Sequence, residues 1–303
     1  MKNNWTTKNI PSQKGKTIII TGANSGLGLE AAKVLSSKGA RVIMAVRSIT
    51  KGQDAIAEIN REYPTAQLEL MQLDLSDLES IRNFADEFKQ RHTQIDVLIN
   101  NAGVMWPPKR EETKQGFETQ LGINHLGHFA LTALLMDVIK QTPNSRIVTQ
   151  SSIAHTAVSG LNFDDLNWEK SYNKTKAYGQ SKLANLLFTY ELDRKLKESK
   201  ANTKAIACHP GVSNTNLFRT SASFVGKAIN LIGQKAEMGA LPMLRAATEE
   251  QLKGSEYIGP KGFMGFSGYP VEVKSTKTAR DRQLAKRFWD VSAELTGTRF
   301  NFQ

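Results

Sequence analysis

The chain has 303 residues, 40% hydrophobic and 23% charged, the composition of a water-soluble folded protein long enough for one large α/β domain. Its purely apolar runs stop after a few residues, as in Thr17-Ile18-Ile19-Ile20, and residues 1–16 are polar and mixed. A bilayer-spanning segment, a secretory leader and a membrane anchor are therefore not expected. Cys208 is the single cysteine, so an intrachain disulfide is excluded and a reducing cytoplasm is the expected location.

In chain order, short apolar runs alternate with longer helical patterns. Strands are expected at 17–21, 41–46, 67–72, 97–100, 146–150 and 203–208. Helices are expected at 28–38, 51–62, 78–90, 117–140 and 177–197. The strand runs are continuously apolar rather than alternating, which predicts a parallel sheet covered on both faces. Leu78, Ile81, Phe84, Ala85 and Phe88 recur at helical spacing. Strand–helix alternation with right-handed crossovers predicts a Rossmann-type, doubly wound α/β sheet. No Pro- or Ser-rich linker divides the chain, so one domain is expected. Residues 212–252 interrupt the alternation; they read as a small lid over a substrate pocket or, equally, as packing helices. The formal charge of +11 is dispersed. Its densest cluster, Lys274, Lys277, Arg280, Arg282, Lys286 and Arg287, is broken by Asp281 and Asp290, with Phe288 and Trp289 on the buried side of the same helix. That is a solvated helix face, and no nucleic-acid partner is expected.

The first strand leads into Thr21-Gly22-Ala23-Asn24-Ser25-Gly26-Leu27-Gly28 and then a helix. Glycines at this junction permit a tight turn and close approach of backbone to a pyrophosphate at the helix N-terminus. The missing Gly-Lys-Ser/Thr ending argues against a kinase or ATPase. The second strand ends in Ala45-Val46-Arg47, where a carboxylate would bind the ribose 2′-hydroxyl of NAD. A guanidinium there suits a 2′-phosphate, so NADP is favoured. Farther on, Tyr178 and Lys182 stand four residues apart, on one face of a helix. An ammonium beside a phenol would stabilise the phenolate and bring its pKa toward a useful range. The five histidines have no accompanying carboxylate or cysteine cluster, and no metal site is expected.

Together with Asp74-Leu75, Asn100-Asn101-Ala102-Gly103, Asn124, Ser152 and His209-Pro210-Gly211, these motifs resemble the short-chain dehydrogenase/reductase family over about 16–211. The strings Asn124-His125-Leu126-Gly127-His128-Phe129 and Ser151-Ser152-Ile153-Ala154-His155 are similar to its retinol dehydrogenase-like branch. So is the extra length, 158–174, between Ser152 and Tyr178. The resemblance implies an NADP(H)-dependent enzyme that interconverts an alcohol and a carbonyl on a small, rather apolar molecule. Gly22, Asn24, Ser25, Gly26, Leu27 and Gly28 would hold the pyrophosphate and Arg47 the 2′-phosphate. Asp74 and Leu75 would border the adenine, with Asn101, Ala102 and Gly103 near its ribose. Pro210, Val212 and Thr215 would border the nicotinamide. Tyr178 would move the proton, and Lys182 would lower its pKa and hold the nicotinamide ribose. Ser152, with Ser151 its rival, would bind the carbonyl oxygen, and Asn124 would hold a water beside Lys182. The pocket would be walled by residues 104–108, by 152–155 and by the 212–252 segment, with Met105, Trp106 and Phe218 giving it an apolar lining. Relatives pair the helices at 117–140 and 177–197 between subunits, so a homo-oligomer is implied as well. A non-catalytic NADP(H)-sensing protein on the same fold is the alternative.

Overall fold

A computed structural model of the protein describes residues 4–212 and 234–302. Among them, one sheet has the order β3-β2-β1-β4-β5-β6-β7-β8. Its strands are β1 (Thr17–Thr21), β2 (Arg41–Val46), β3 (Gln67–Gln72), β4 (Val97–Asn100), β5 (Ser145–Gln150), β6 (Thr203–Cys208), β7 (Tyr257–Pro260) and β8 (Pro270–Glu272). The first seven run parallel, and β8 pairs antiparallel with β7 at the edge. The helices are α1 (Gly26–Ser37), α2 (Ile49–Glu62), α3 (Leu78–Arg91), α4 (Thr119–Gln141), α5 (Lys174–Glu198), α6 (Ala236–Thr248) and α7 (Arg282–Thr296). The Rossmann-type α/β architecture expected from the alternation is what forms.

Burial on both faces explains the apolar runs of β1, β2, β4, β5 and β6, whereas β3, with Glu69 in it, is mostly half-buried or exposed. Ile18 and Ile20 of β1 pack with α1 and α6 on one side, while Ile19 packs with α3, α4, α5 and α7 on the other. Helix starts follow local chemistry: Asp77, Asn173 and Asp281 each accept first-turn amides as N-caps of α3, α5 and α7.

Two expectations are corrected here. The 212–252 segment is not a lid over its described helical part: α6 buries Ala240, Leu241, Met243, Leu244, Ala246 and Ala247 against the sheet, as the crossover between β6 and β7. Residues 213–233 of that segment, including Phe218, lie outside the described residues. Second, α4 is long and apolar enough to cross a bilayer, contrary to the reading of short apolar runs. It is a core helix, 78% buried over its most apolar stretch. Within the chain, α7 packs on α4 and α5. Trp289 stacks on Phe188 at 5.8 Å and meets Phe129 edge-on at 5.1 Å, and His125 Nε2 lies 3.0 Å from Ser292 Oγ.

Candidate active site

The strand order reverses between β1 and β4, and a cleft of about 510 Å³ opens beside that point at the carboxyl ends of the strands. Gly22, Asn24, Ser25, Gly26, Leu27 and Gly28 enter it from the β1–α1 turn, Arg47 from the end of β2, and Asp74 and Leu75 from beyond β3. Asn101, Ala102 and Gly103 follow β4, and Ser152, Tyr178, Lys182, Pro210 and Val212 close the other end. Thr215 lies outside the described residues. Asn124 does not line the cleft; it is fully buried behind it.

The turn has the shape a pyrophosphate requires. Gly22 and Gly26 adopt φ of 67° and 55°, in the left-handed region. A Cβ on Gly28 would sit 2.5 Å from Gly22 O and 2.7 Å from Asn101 Nδ2, so helix and turn touch because that side chain is missing. The N-cap Ser25 makes no side-chain bond to α1, leaving first-turn amides for an anion at the positive end of the helix. At the far end, exposed Arg47 forms no ion pair among the described residues. Asp74 is fixed in a tight turn, its Oδ1 accepting from Ser76 N at 2.9 Å and Ser76 Oγ at 2.6 Å. These groups fit a phosphorylated dinucleotide.

Thr21 and Asn101 tie the two halves of this end together. Thr21 Oγ1 accepts from Asn101 N and Ala102 N, both at 2.9 Å, and Asn101 Nδ2 donates to Thr21 O at 2.7 Å. Gln150 Nε2 donates to Asn101 Oδ1 at 3.2 Å.

Tyr178 and Lys182 project from α5, with the ammonium 5.6 Å from the ring centroid. Lys182 Nζ donates to Gln150 O at 3.3 Å. Burial raises the phenol to about 12, and a hydrogen bond with Ser152 draws it down only in part. Burial also lowers the ammonium to about 8. The expected lowering of Tyr178 by Lys182 is therefore not what this structure has. Both groups are desolvated, and the ammonium lies over the ring and against a carbonyl. The two serines divide as follows. Ser151 Oγ donates to Lys182 O at 2.8 Å and is spent on packing, whereas Ser152 caps the turn at Ile153–Ala157 and bonds the Tyr178 phenol.

Asn124 sits in a π turn, Gly122–Leu126, that interrupts α4. Its Nδ2 donates to Val104 O and Ser181 Oγ, both at 3.0 Å, and its Oδ1 accepts from Val104 N at 2.8 Å. Its amide braces the loop after β4 against α5. The apolar wall includes Met105 and Trp106; Pro107, Pro108 and His155 stand outside the lining. Trp106 holds φ of 55°, its N–H donating to Gln120 Oε1 at 2.9 Å, and its ring meets Tyr178 edge-on at 6.4 Å. His155 Nδ1 donates to Ser152 O at 2.7 Å, steadying the serine from behind. Gln150 and Gln120 carry no sequence signature, because each acts through a bond to a distant segment.

The Lys182 shift has a measurable consequence. Its folded value, about 8, lies below the 10.5 of a free lysine side chain. The buried ammonium thus costs stability below pH 8, and the cost fades as pH rises toward 10.5, where the unfolded chain also loses the proton. Lys182→Met is expected to be more stable than wild type at pH 7, by up to about 3 kcal/mol. The gap should close by pH 10.5 in scanning calorimetry; a constant or widening gap would contradict the burial cost.

A doubly wound sheet with a glycine turn and a Tyr–Lys–Ser cluster in one crevice defines a dinucleotide-binding type of oxidoreductase fold. The sequence profile of the short chain dehydrogenase family matches residues 16–225. Retinol dehydrogenase 12 from Homo sapiens is 42% identical over 288 residues, covering 94% of this chain and 88% of that protein. Short-chain dehydrogenase TIC 32 B, chloroplastic, from Brassica napus is 41% identical, covering 93% of this chain and 89% of that protein. The crystal structure of an uncharacterized protein from Mycobacterium Paratuberculosis superposes with a TM-score of 0.83 at 42% identity, covering 99% of this chain and 100% of that one. A short chain dehydrogenase from Shigella flexneri 2a str. 301, complexed with NADP, shares the fold at 21% identity and a TM-score of 0.65, covering 82% and 98%. The chain belongs to the short-chain dehydrogenase/reductase family and is similar to the retinol dehydrogenases within it. It is an oxidoreductase that acts on an alcohol or carbonyl of a small molecule.

Proposed function

We propose that the protein is an NADP(H)-dependent enzyme that interconverts an alcohol and a carbonyl on a lipophilic small molecule, with Tyr178 as general acid and base. The observation that carries this reading is the meeting, in one cleft, of the glycine turn and Arg47 with Ser152, Tyr178 and Lys182. When bound, the nicotinamide supplies or accepts the hydride. The chain's own residues handle the proton and the charge. With burial holding the phenol near 12, Tyr178 is protonated at neutral pH and suited to give its proton to the oxygen of a carbonyl being reduced. Ser152 offers the same oxygen a hydroxyl as charge develops on it. Lys182, still largely cationic at pH 7, stabilises negative charge on the phenol after the proton leaves. Val104, Met105, Trp106 and Ile153 make an apolar wall that excludes water and favours a lipophilic substrate. Relatives named retinol dehydrogenase fit that substrate class. With Cys208 its only cysteine, and buried, the chain needs no oxidising compartment, and we place it in the cytoplasm.

A library of lipophilic carbonyls and alcohols, assayed with NADPH and NADP by nicotinamide absorbance, tests the activity. Binding of NADPH with no turnover across the library would favour the sensor alternative. Arg47 tests the cofactor. Wild type is expected to bind NADPH about ten- to hundredfold more tightly than NADH, the worth of a charge-assisted phosphate contact. Arg47→Ala should erase most of that preference in calorimetric titrations; equal wild-type affinities would reject the assignment.

A further inference from the structure

His128 lies on α4 one turn beyond Asn124 and is 1% exposed. Its Nδ1 is 3.1 Å from the main-chain oxygen of Asn124, and its Nε2 is 2.9 Å from Thr21 Oγ1. A carbonyl can only accept, so Nδ1 carries a hydrogen. Burial lowers the imidazole to about 4, so at neutral pH Nε2 is a bare lone pair. The Thr21 hydroxyl must then donate to Nε2. Its other acceptor, Ile99 O, is farther away at 3.3 Å. With its hydrogen directed at His128, the Thr21 oxygen is free to accept from Asn101 N and Ala102 N.

The bonds thus run in one direction, from the loop amides through Thr21 and His128 to the Asn124 carbonyl. The Asn124 side chain returns to the same loop at Val104 and reaches α5 through Ser181. Gly103 fills the middle of this ring: a Cβ there would stand 3.0 Å from Asn124 Oδ1 and 3.6 Å from Lys182 Nζ.

We propose that His128 is a positioning residue whose Nδ1–H tautomer locks the Thr21 turn and the loop after β4 to the π turn that carries Asn124, coupling the cofactor end of the cleft to the Tyr178–Lys182 end. The cofactor part of this statement rests on the reading of the cleft given above. A leucine or phenylalanine at 128 would fill the same volume but leave Thr21 O–H and Asn124 O without these partners. The link is thus in the polar atoms and not in the packing.

Long-range ¹H–¹⁵N spectra of the labelled protein, with the His128 signals assigned from their loss in His128→Gln, read the tautomer directly. The neutral Nδ1–H form is expected and should persist from pH 8 down to pH 5. An Nε2–H form, or titration of His128 within that window, overturns the proposal. The coupling is read by a double-mutant cycle of Thr21→Val and His128→Phe. Each single change is expected to weaken NADPH binding by about tenfold in calorimetry, and the double variant should be no weaker than the worse single. Effects that multiply instead would show the two residues acting independently. His128→Gln, whose amide oxygen can accept from Thr21, should recover affinity to within about threefold of wild type. A Gln variant no better than Phe counts against the proposal. If wild type binds no NADPH, the cofactor reading has failed, and the lock itself is decided by the tautomer and by the same cycle measured in urea unfolding.

Discussion

Tyr178→Phe is expected to lower turnover by about 10²–10⁴-fold, the contribution of a positioned proton donor, while leaving NADPH affinity within a factor of about two. The change removes one oxygen and keeps the ring, whose edge meets Trp106 at 6.4 Å, so the wall of the cleft survives. The phenol hydroxyl bonds Ser152, and its loss leaves that serine in the turn capped through Ala154 N at 3.2 Å. Ser152→Ala should be slower than wild type for a different reason, the loss of one donor to the developing oxyanion. The measurement is a steady-state comparison on the first substrate found. Near-wild-type turnover by Tyr178→Phe would place the proton source elsewhere.

Gly28→Val is expected to abolish cofactor binding, with no heat in calorimetric titration up to about 1 mM NADPH. The first atom of the new side chain would fall 2.5 Å from a backbone carbonyl and 2.7 Å from Asn101 Nδ2, and neither is the free end of a flexible group. The start of α1 must therefore move away from the turn, taking its first-turn amides out of reach of the pyrophosphate. Overpacking of this kind costs about 1–3 kcal/mol of stability, so the variant should still unfold cooperatively. Normal NADPH binding by a folded Gly28→Val would put the phosphate site in another part of the cleft.

Much of this site follows from local spacing. The glycine turn needs only β1 before it and α1 after it. Tyr178 and Lys182 share a face because α5 turns once between them. The six strands β1 to β6 could be read because each is a short run rich in apolar residues, though β3 carries Glu69 between Leu68 and Leu70, and their bounds agree with the sheet to within a residue. The later elements gave weaker signals. β7 is four residues long with Gly259 and Pro260 in it, and it becomes a strand because Ala207 and Cys208 pair with Tyr257 and Ile258. α6 contains Gly239 and Pro242, which blur a helical pattern. Packing against the sheet stabilises it regardless.

The chain's residues by themselves determine the class of fold, the turn that faces a phosphate, the guanidinium at the end of β2 and the Tyr–Lys pair. All of these depend on neighbours within one strand or one helical turn. Tertiary structure alone decides that Lys182 is held near 8 and Tyr178 near 12, because burial by α5, β5 and the loop after β4 sets their solvation. It also decides that Ser151 bonds the α5 backbone while Ser152 bonds the Tyr178 phenol, and that α7 covers α4 and α5. The direction of the hydrogen bonds through His128 belongs to the same group: its two ring nitrogens meet Thr21 and Asn124, and which atom donates is set by partners 107 and 4 residues away in the chain.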